Sequence, residues 1–124
     1  MCGIIGYIGK ESPVEILING LKNLEYRGYD SAGIALKNDD EIEVIKSVGK
    51  IKNLEEKVKN KELIKSNLGI AHTRWATHGK PSEKNAHPHT VGRVTLVHNG
   101  IIENAQELRD KLHQAGINLQ SETD

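Results

Sequence analysis

The sequence predicts an α+β domain with mostly antiparallel strands, and three patterns carry that reading. Residues 2–8 and 31–37 ("SAGIALK") are short apolar runs punctuated by glycine, and 41–48 ("EIEVIKSV") alternates polar with apolar as a half-buried strand does. The "KNDD" between the last two has the composition of a hairpin turn. Between the first two strands, Val14, Leu17, Ile18, Leu21 and Leu24 repeat at helical spacing, so a helix should pack on a sheet.

Each element has its own signals. Ser12 suits an N-cap, Pro13 the first helical position and Glu15 the third residue of a capping box, while Gly28 can close the helix in the left-handed region. Residues 53–65 ("NLEEKVKNKELIK") predict a charged second helix with Leu54, Val58 and Leu63 turned inward. Strands follow at 68–73 ("LGIAHT") and 93–98 ("RVTLVH"), joined by a loop over 74–92 that is long for a compact domain, and such loops are often functional. A third helix near 103–115 should bury Leu108 and Leu112 and end at Gly116, after which "INLQSETD" starts like a strand.

Composition narrows the classes of function. Lys+Arg and Asp+Glu both total 17, so no basic bias points to nucleic acid. No apolar run approaches the roughly 18 residues that span a bilayer, and "MCGIIGYIG" lacks the basic start of a signal peptide, so a soluble, cytoplasmic chain is expected. A single cysteine excludes an internal disulfide and a Cys-rich zinc site. About a quarter of the residues are Leu, Ile or Val, above the roughly 20% typical of disordered chains, and Phe is absent, so the core must be aliphatic.

That one cysteine stands at position 2. If Met1 is removed, Cys2 carries both a thiol and the free α-amino group, and since such groups titrate at about 8.5 and about 7.7–8.0, the amine can take the thiol proton near neutral pH. The ordinary alternative is a buried strand cysteine. Arg74 offers a planar fork for a carboxylate, with Thr77 and His78 as further hydrogen-bonding groups, or it is a structural arginine paired with a local acid. Asn99-Gly100 is either a turn or, at a strand end, a side-chain amide and a backbone N–H that together make an oxyanion hole. Arg27 and Asp30 flank Gly28 in a turn, with Arg27 placed to buttress a site. His87 and His89 in "HPH", with His72, His78 and His98, raise a metal-binding module, although no Asp, Glu or Cys stands at ligand spacing. The start "CGIIGYIGK" matches neither glycine-rich phosphate-loop pattern.

Taken together, "MCGI.GYIG", "EYRGYDSAGIA", "AHTRWATHG.P...NAHPH", "VHNGIIEN" and the terminal "SETD" resemble the glutaminase domain of the class II, N-terminal-nucleophile (Ntn) glutamine amidotransferases, over the whole chain. The resemblance implies an Ntn hydrolase-type four-layer αββα sandwich of mostly antiparallel sheets, of which residues 1–124 would be an incomplete N-terminal part. The remainder of that domain and the sugar-phosphate-binding isomerase (SIS) domains would be absent, leaving sheet edges open. It also implies hydrolysis of glutamine to glutamate and ammonia through a Cys2 thioester, with the Cys2 α-amino group as base and Asn99 and Gly100 as the oxyanion hole. Arg74, Thr77 and His78 would hold the substrate α-carboxylate, and Asp124 its α-ammonium, although a last residue is expected to fray. Trp75 would help pass ammonia onward. No cofactor is implied, and in the full-length enzyme, expected to be a homo-oligomer, the ammonia would go to fructose 6-phosphate to give glucosamine 6-phosphate. A catalytically incompetent fragment of the same family and a histidine-based metal module stay open beside this reading.

Overall fold

The computed structural model describes residues 2–75 and 79–124, with Arg27 described in its backbone alone. Six strands and three helices run β1 (Gly3–Ile8), α1 (Pro13–Leu24), β2 (Ser31–Lys37), β3 (Ile42–Val48), α2 (Ile51–Lys59), β4 (Leu68–Arg74), β5 (His89–Val91), β6 (Val94–Leu96) and α3 (Ala105–Gln114). Four strands form one sheet in the order β1-β4-β2-β3, and β5 and β6 form a separate ribbon. Every pairing among the described residues is antiparallel.

Side-chain alternation explains how the sheet is filled. Ile5, Ile34, Ile45 and Ala71 share one face, and on it Leu17, Ile18 and Leu21 of α1 and Ile51, Leu54 and Val58 of α2 complete an aliphatic core. Leu17, Leu21, Ile34, Leu36, Ile51 and Leu54 are fully buried, each contributing roughly 1.5–3 kcal/mol by leaving water. Glycine lets α1 sit close. A Cβ on Gly69 would lie 2.6 Å from Leu17 Cδ1 and 3.0 Å from the Ala35 carbonyl oxygen.

Several local details differ from the sequence reading. Ser12 is extended at the N-cap but makes no side-chain cap, and Pro13 stands at the first helical position as expected. Helix α1 stops at Leu24 and passes into a 3-10 turn, Glu25–Arg27, so Gly28 closes that turn at φ 107 and ψ 157 rather than capping the helix in the left-handed region. Helix α2 runs over Ile51–Lys59, not 53–65. Continuing it would aim Lys61 and Glu62 at the core, whereas the extended chain lets Leu63 and Ile64 pack there, with the Ile64 N–H on Glu43 Oε1 at 3.0 Å. The 93–98 run yields only Val94–Leu96, paired with a strand inside the long loop. Residues 117–124 form no strand, and α3 buries none of its residues, with Leu108 40% and Leu112 36% exposed.

The sheet's other face is polar at its centre. His72 of β4 is fully buried, its ring stacked on that of His87 with centroids 4.0 Å apart and planes 17° apart. His87 meets His89 edge-on at 4.4 Å. Gly33 admits this loop, because a Cβ there would sit 2.1 Å from the His87 carbonyl oxygen, and Lys46 Nζ donates to the Ala86 carbonyl at 2.8 Å. Burial lowers all three histidines. It takes His72 to about 4 against the opposing effect of its bond to the His98 carbonyl; it takes His87, beside His72, His89 and Arg74, to about 2; and it takes His89, beside Lys46 and Arg74, to about 4.

Two tests follow from these contacts. Gly69→Val should destabilise the chain by about 1–3 kcal/mol through overpacking against Leu17 and Ala35. Gly6→Val should lower the urea midpoint far less, since a Cβ at Gly6 meets nothing within 4 Å; equal midpoints for the two variants would refute the packing argument. The second concerns pH. Unfolded histidines titrate near 6.5, so as pH falls from there toward 4 the unfolded chain takes up protons that folded His72, His87 and His89 refuse. Stability is therefore full above pH 6.5 and falls below it, by at most about 1.4 kcal/mol per pH unit for each histidine. Urea midpoints at pH 7 and pH 5 measure this, and a midpoint unchanged between them would contradict it.

Candidate active site

Cys2 leads directly into β1, and the register Gly3↔Thr73 sets it beside the end of β4. The Trp75 N–H points at Cys2 Sγ with the nitrogen 3.4 Å away, and Sγ lies 3.8 Å from the Trp75 carbonyl oxygen. Asn99 reaches the same residue from 97 positions away, its Nδ2 donating to the Cys2 carbonyl at 3.2 Å. Residues 2, 75 and 99 thus meet at one point. Cys2 as a residue is half-buried.

Arg74 is 3% exposed and well partnered. Its Nη1 donates to the Lys80 carbonyl at 3.2 Å and its Nη2 to the Gly79 carbonyl at 2.9 Å, and Asp30 Oδ1 lies 3.5 Å from Nη1. These contacts are those of a structural arginine: it is paired with a local acid, and it gathers the Gly79 and Lys80 carbonyls after β4 around a planar cation. Asp30 is held in turn by the Ser31 hydroxyl at 2.8 Å and by its own N–H on the Arg74 carbonyl at 2.8 Å.

Trp75 is 52% exposed, and one face of its ring lies on Gly28. A Cβ at Gly28 would sit 2.1 Å from Trp75 Cε3, and φ there is +107°, so this turn requires glycine on both counts. The Arg27 side chain, expected to buttress the site, lies outside the described residues, as do Thr77 and His78.

The end of the chain is tied back by hydrogen bonds. Asp124 Oδ2 accepts the Ile102 N–H at 2.6 Å, and Arg109 Nη2 binds the Ser121 carbonyl at 3.1 Å and the Thr123 carbonyl. Asn85, fully buried, accepts the Glu122 N–H at 2.7 Å and donates to the Lys80 carbonyl at 2.9 Å. This side chain, which the sequence reading did not single out, ties the chain's end to the carbonyls that hold Arg74. Its one signal is an asparagine beside "HPH" in an otherwise charged loop.

His72, His87, His89 and His98 are placed as packing and hydrogen-bonding groups. His72 Nε2 lies 2.9 Å from the His98 carbonyl, and the His98 N–H donates to His87 Nδ1 at 3.2 Å. Among the described residues no group of three or more His, Cys, Asp or Glu is arranged to hold a metal ion. Nor is any described helix long and apolar enough to cross a membrane.

No protein-family model matches the chain. Individual proteins do. Over 124 residues, and 100% of this chain, it is 60% identical to the glutamine–fructose-6-phosphate aminotransferase (isomerizing) of Acinetobacter baylyi, covering 20% of that protein. It is 55% identical to the enzyme of the same name from Helicobacter pylori, covering 100% of this chain and 21% of the relative. The chain therefore spans about a fifth of the length of the curated relatives it matches. Among solved structures, a glutamine phosphoribosylpyrophosphate amidotransferase from B. subtilis, complexed with ADP and GMP, superposes with a TM-score of 0.81 at 28% identity, covering 100% of this chain and 27% of that one. A structure described as the allosteric regulatory enzyme of purine biosynthesis gives the same TM-score, 0.81, over 98% of this chain and 27% of that one. Over its entire length the chain is thus similar in sequence to glutamine–fructose-6-phosphate aminotransferases, and it shares its α+β fold with the N-terminal-nucleophile glutamine amidotransferases.

Proposed function

We propose that the chain carries the nucleophile and oxyanion donors of a glutaminase. The reaction is hydrolysis of the glutamine side-chain amide to glutamate and ammonia. The observation that carries this reading is the meeting of Cys2 with Trp75 and Asn99, the sulfur 3.4 Å from one backbone nitrogen and the Asn99 amide 3.2 Å from the Cys2 carbonyl. The relatives' names supply the substrate.

Removal of Met1 would free the Cys2 α-amino group, which takes the thiol proton as sulfur bonds to the amide carbon. Electrons of the C=O bond move onto oxygen, where the Asn99 amide and the Gly100 N–H stabilise the negative charge. Rotation of Asn99 from the Cys2 carbonyl toward that oxygen supplies the first donor. On collapse the C–N bond breaks, and the departing nitrogen takes the proton and leaves as ammonia. Water then adds to the thioester, releasing glutamate and restoring the thiol. Arg74, with Thr77 and His78, would take the substrate α-carboxylate, and Asp124 its α-ammonium. Arg27 would buttress the turn beneath the site, and Trp75, its ring exposed over Gly28, would border the path by which ammonia leaves.

In a longer protein of the kind the curated relatives represent, this ammonia would be delivered to fructose 6-phosphate to form glucosamine 6-phosphate, in a cytoplasmic homo-oligomer. A second reading, a catalytically incompetent fragment of the same ancestry, is favoured by one observation: Asn99 already donates to the Cys2 carbonyl.

Glutamate release from glutamine by the Met1-free chain separates the two. The glutaminase reading predicts measurable turnover that Cys2→Ala abolishes. Asn99→Ala should lower kcat by about 10²–10³ while leaving KM nearly unchanged, because the donor acts on charge that exists only in the transition state. An effect confined to KM would withdraw the oxyanion role, and turnover surviving in Cys2→Ala would overturn the mechanism.

A further inference from the structure

Both backbone polar groups of His98, the residue before Asn99-Gly100, are held by histidine rings rather than by a strand partner. His72 Nε2 lies 2.9 Å from the His98 carbonyl, and His87 Nδ1 receives the His98 N–H at 3.2 Å. Hydrogen-bond chemistry then fixes the tautomers. A carbonyl only accepts, so His72 carries its hydrogen on Nε2; an N–H only donates, so His87 Nδ1 is bare and its hydrogen is on Nε2. We propose that the stacked pair His72–His87 is a clamp that positions the Asn99-Gly100 oxyanion donors, one ring gripping each side of the His98 peptide backbone.

Three features support a role beyond filling space. The rings stack at 4.0 Å and 17°, so each fixes the plane of the other. The clamp is anchored to rigid structure, since His72 lies within β4, paired with Gly33, and the missing Cβ of Gly33 is what lets the His87 backbone approach to 2.1 Å of that position. Finally, His72 Nδ1 is buried without a hydrogen-bond partner, a cost that an apolar ring of similar shape would avoid. Burial keeps both rings neutral, His72 at about 4 and His87 at about 2, so the donor and acceptor assignments hold throughout the neutral range.

The inference rests on the glutaminase reading for its purpose, but its geometry can be measured without turnover. In the intact chain, ring ¹⁵N resonances should report both histidines as Nε2–H tautomers at pH 7, and a hydrogen on His87 Nδ1 would overturn the clamp even if every variant failed to fold. Removing the acceptor with His87→Leu should speed amide hydrogen exchange at Asn99 and Gly100 roughly tenfold or more while Ile34 in the core strand is unchanged. His87→Asn, whose side-chain oxygen can replace Nδ1, should restore the slow exchange. His72→Leu and His72→Gln should behave in the same way for the donor. Glutamine hydrolysis should follow, with kcat falling roughly ten- to a hundredfold in the leucine variants, KM within about twofold, and recovery in the amide variants. Exchange at Gly100 that ignores His87→Leu would refute the clamp while leaving a wild-type glutaminase intact. A wild type without turnover, but with the predicted exchange pattern, would refute the glutaminase reading and leave the clamp as a structural finding.

Discussion

Antiparallel pairing of β1 with β4, Gly3 opposite Thr73 and Ile5 opposite Ala71, is the constraint on which the other features rest. Strand β4 is also paired along its length with β2, so its position is fixed from both sides. A slip of one residue would turn Ile5 away from α1 and carry Cys2 off the Trp75 N–H, and the aliphatic core forbids that slip. The helical layer therefore locates the sulfur through the register it imposes on β1 and β4.

The same strand has two chemically different faces. Gly69, Ala71 and Thr73 meet the helical layer, whereas His72 and Arg74 project to the opposite side and organise the long loop. Arg74 gathers the Gly79 and Lys80 carbonyls, Asn85 links Lys80 to Glu122, and the stacked histidines hold His98. A long connection bearing little regular structure is thus ordered by buried polar side chains that answer its backbone groups. Apolar surface remains elsewhere: Ile4 and Ile8 on the edge strand β1 and Leu108 and Leu112 on α3 are all at least 36% exposed.

Much of this was legible in the residues. The spacing Leu17, Ile18, Leu21 and the alternation of 41–48 are local patterns with one physical solution each, and both elements formed where those patterns lie. The turn also formed as its chemistry demands, Asn38 Oδ1 accepting the Asp40 and Glu41 N–H groups. Errors arose where a pattern needed a partner. Leu108 and Leu112 have core spacing yet stay partly exposed, and Leu63 reaches the core from extended chain rather than from a helix. At the site, Cys2, Arg74 and Asn99-Gly100 stood out by residue type, whereas Asn85 and the His72–His87 pair act through backbone groups far away in sequence, which no local pattern records.

The central claim is that residues 2, 75 and 99 meet to form a nucleophile site for glutamine. The most direct measurement is the intact mass of the purified chain before and after exposure to an electrophilic glutamine analogue, with Cys2→Ala alongside. The predicted result is a single adduct on the Met1-free chain, prevented by excess glutamine and absent from Cys2→Ala. A Met1-free chain that gains no adduct, or one labelled equally when Cys2 is replaced, would contradict the claim.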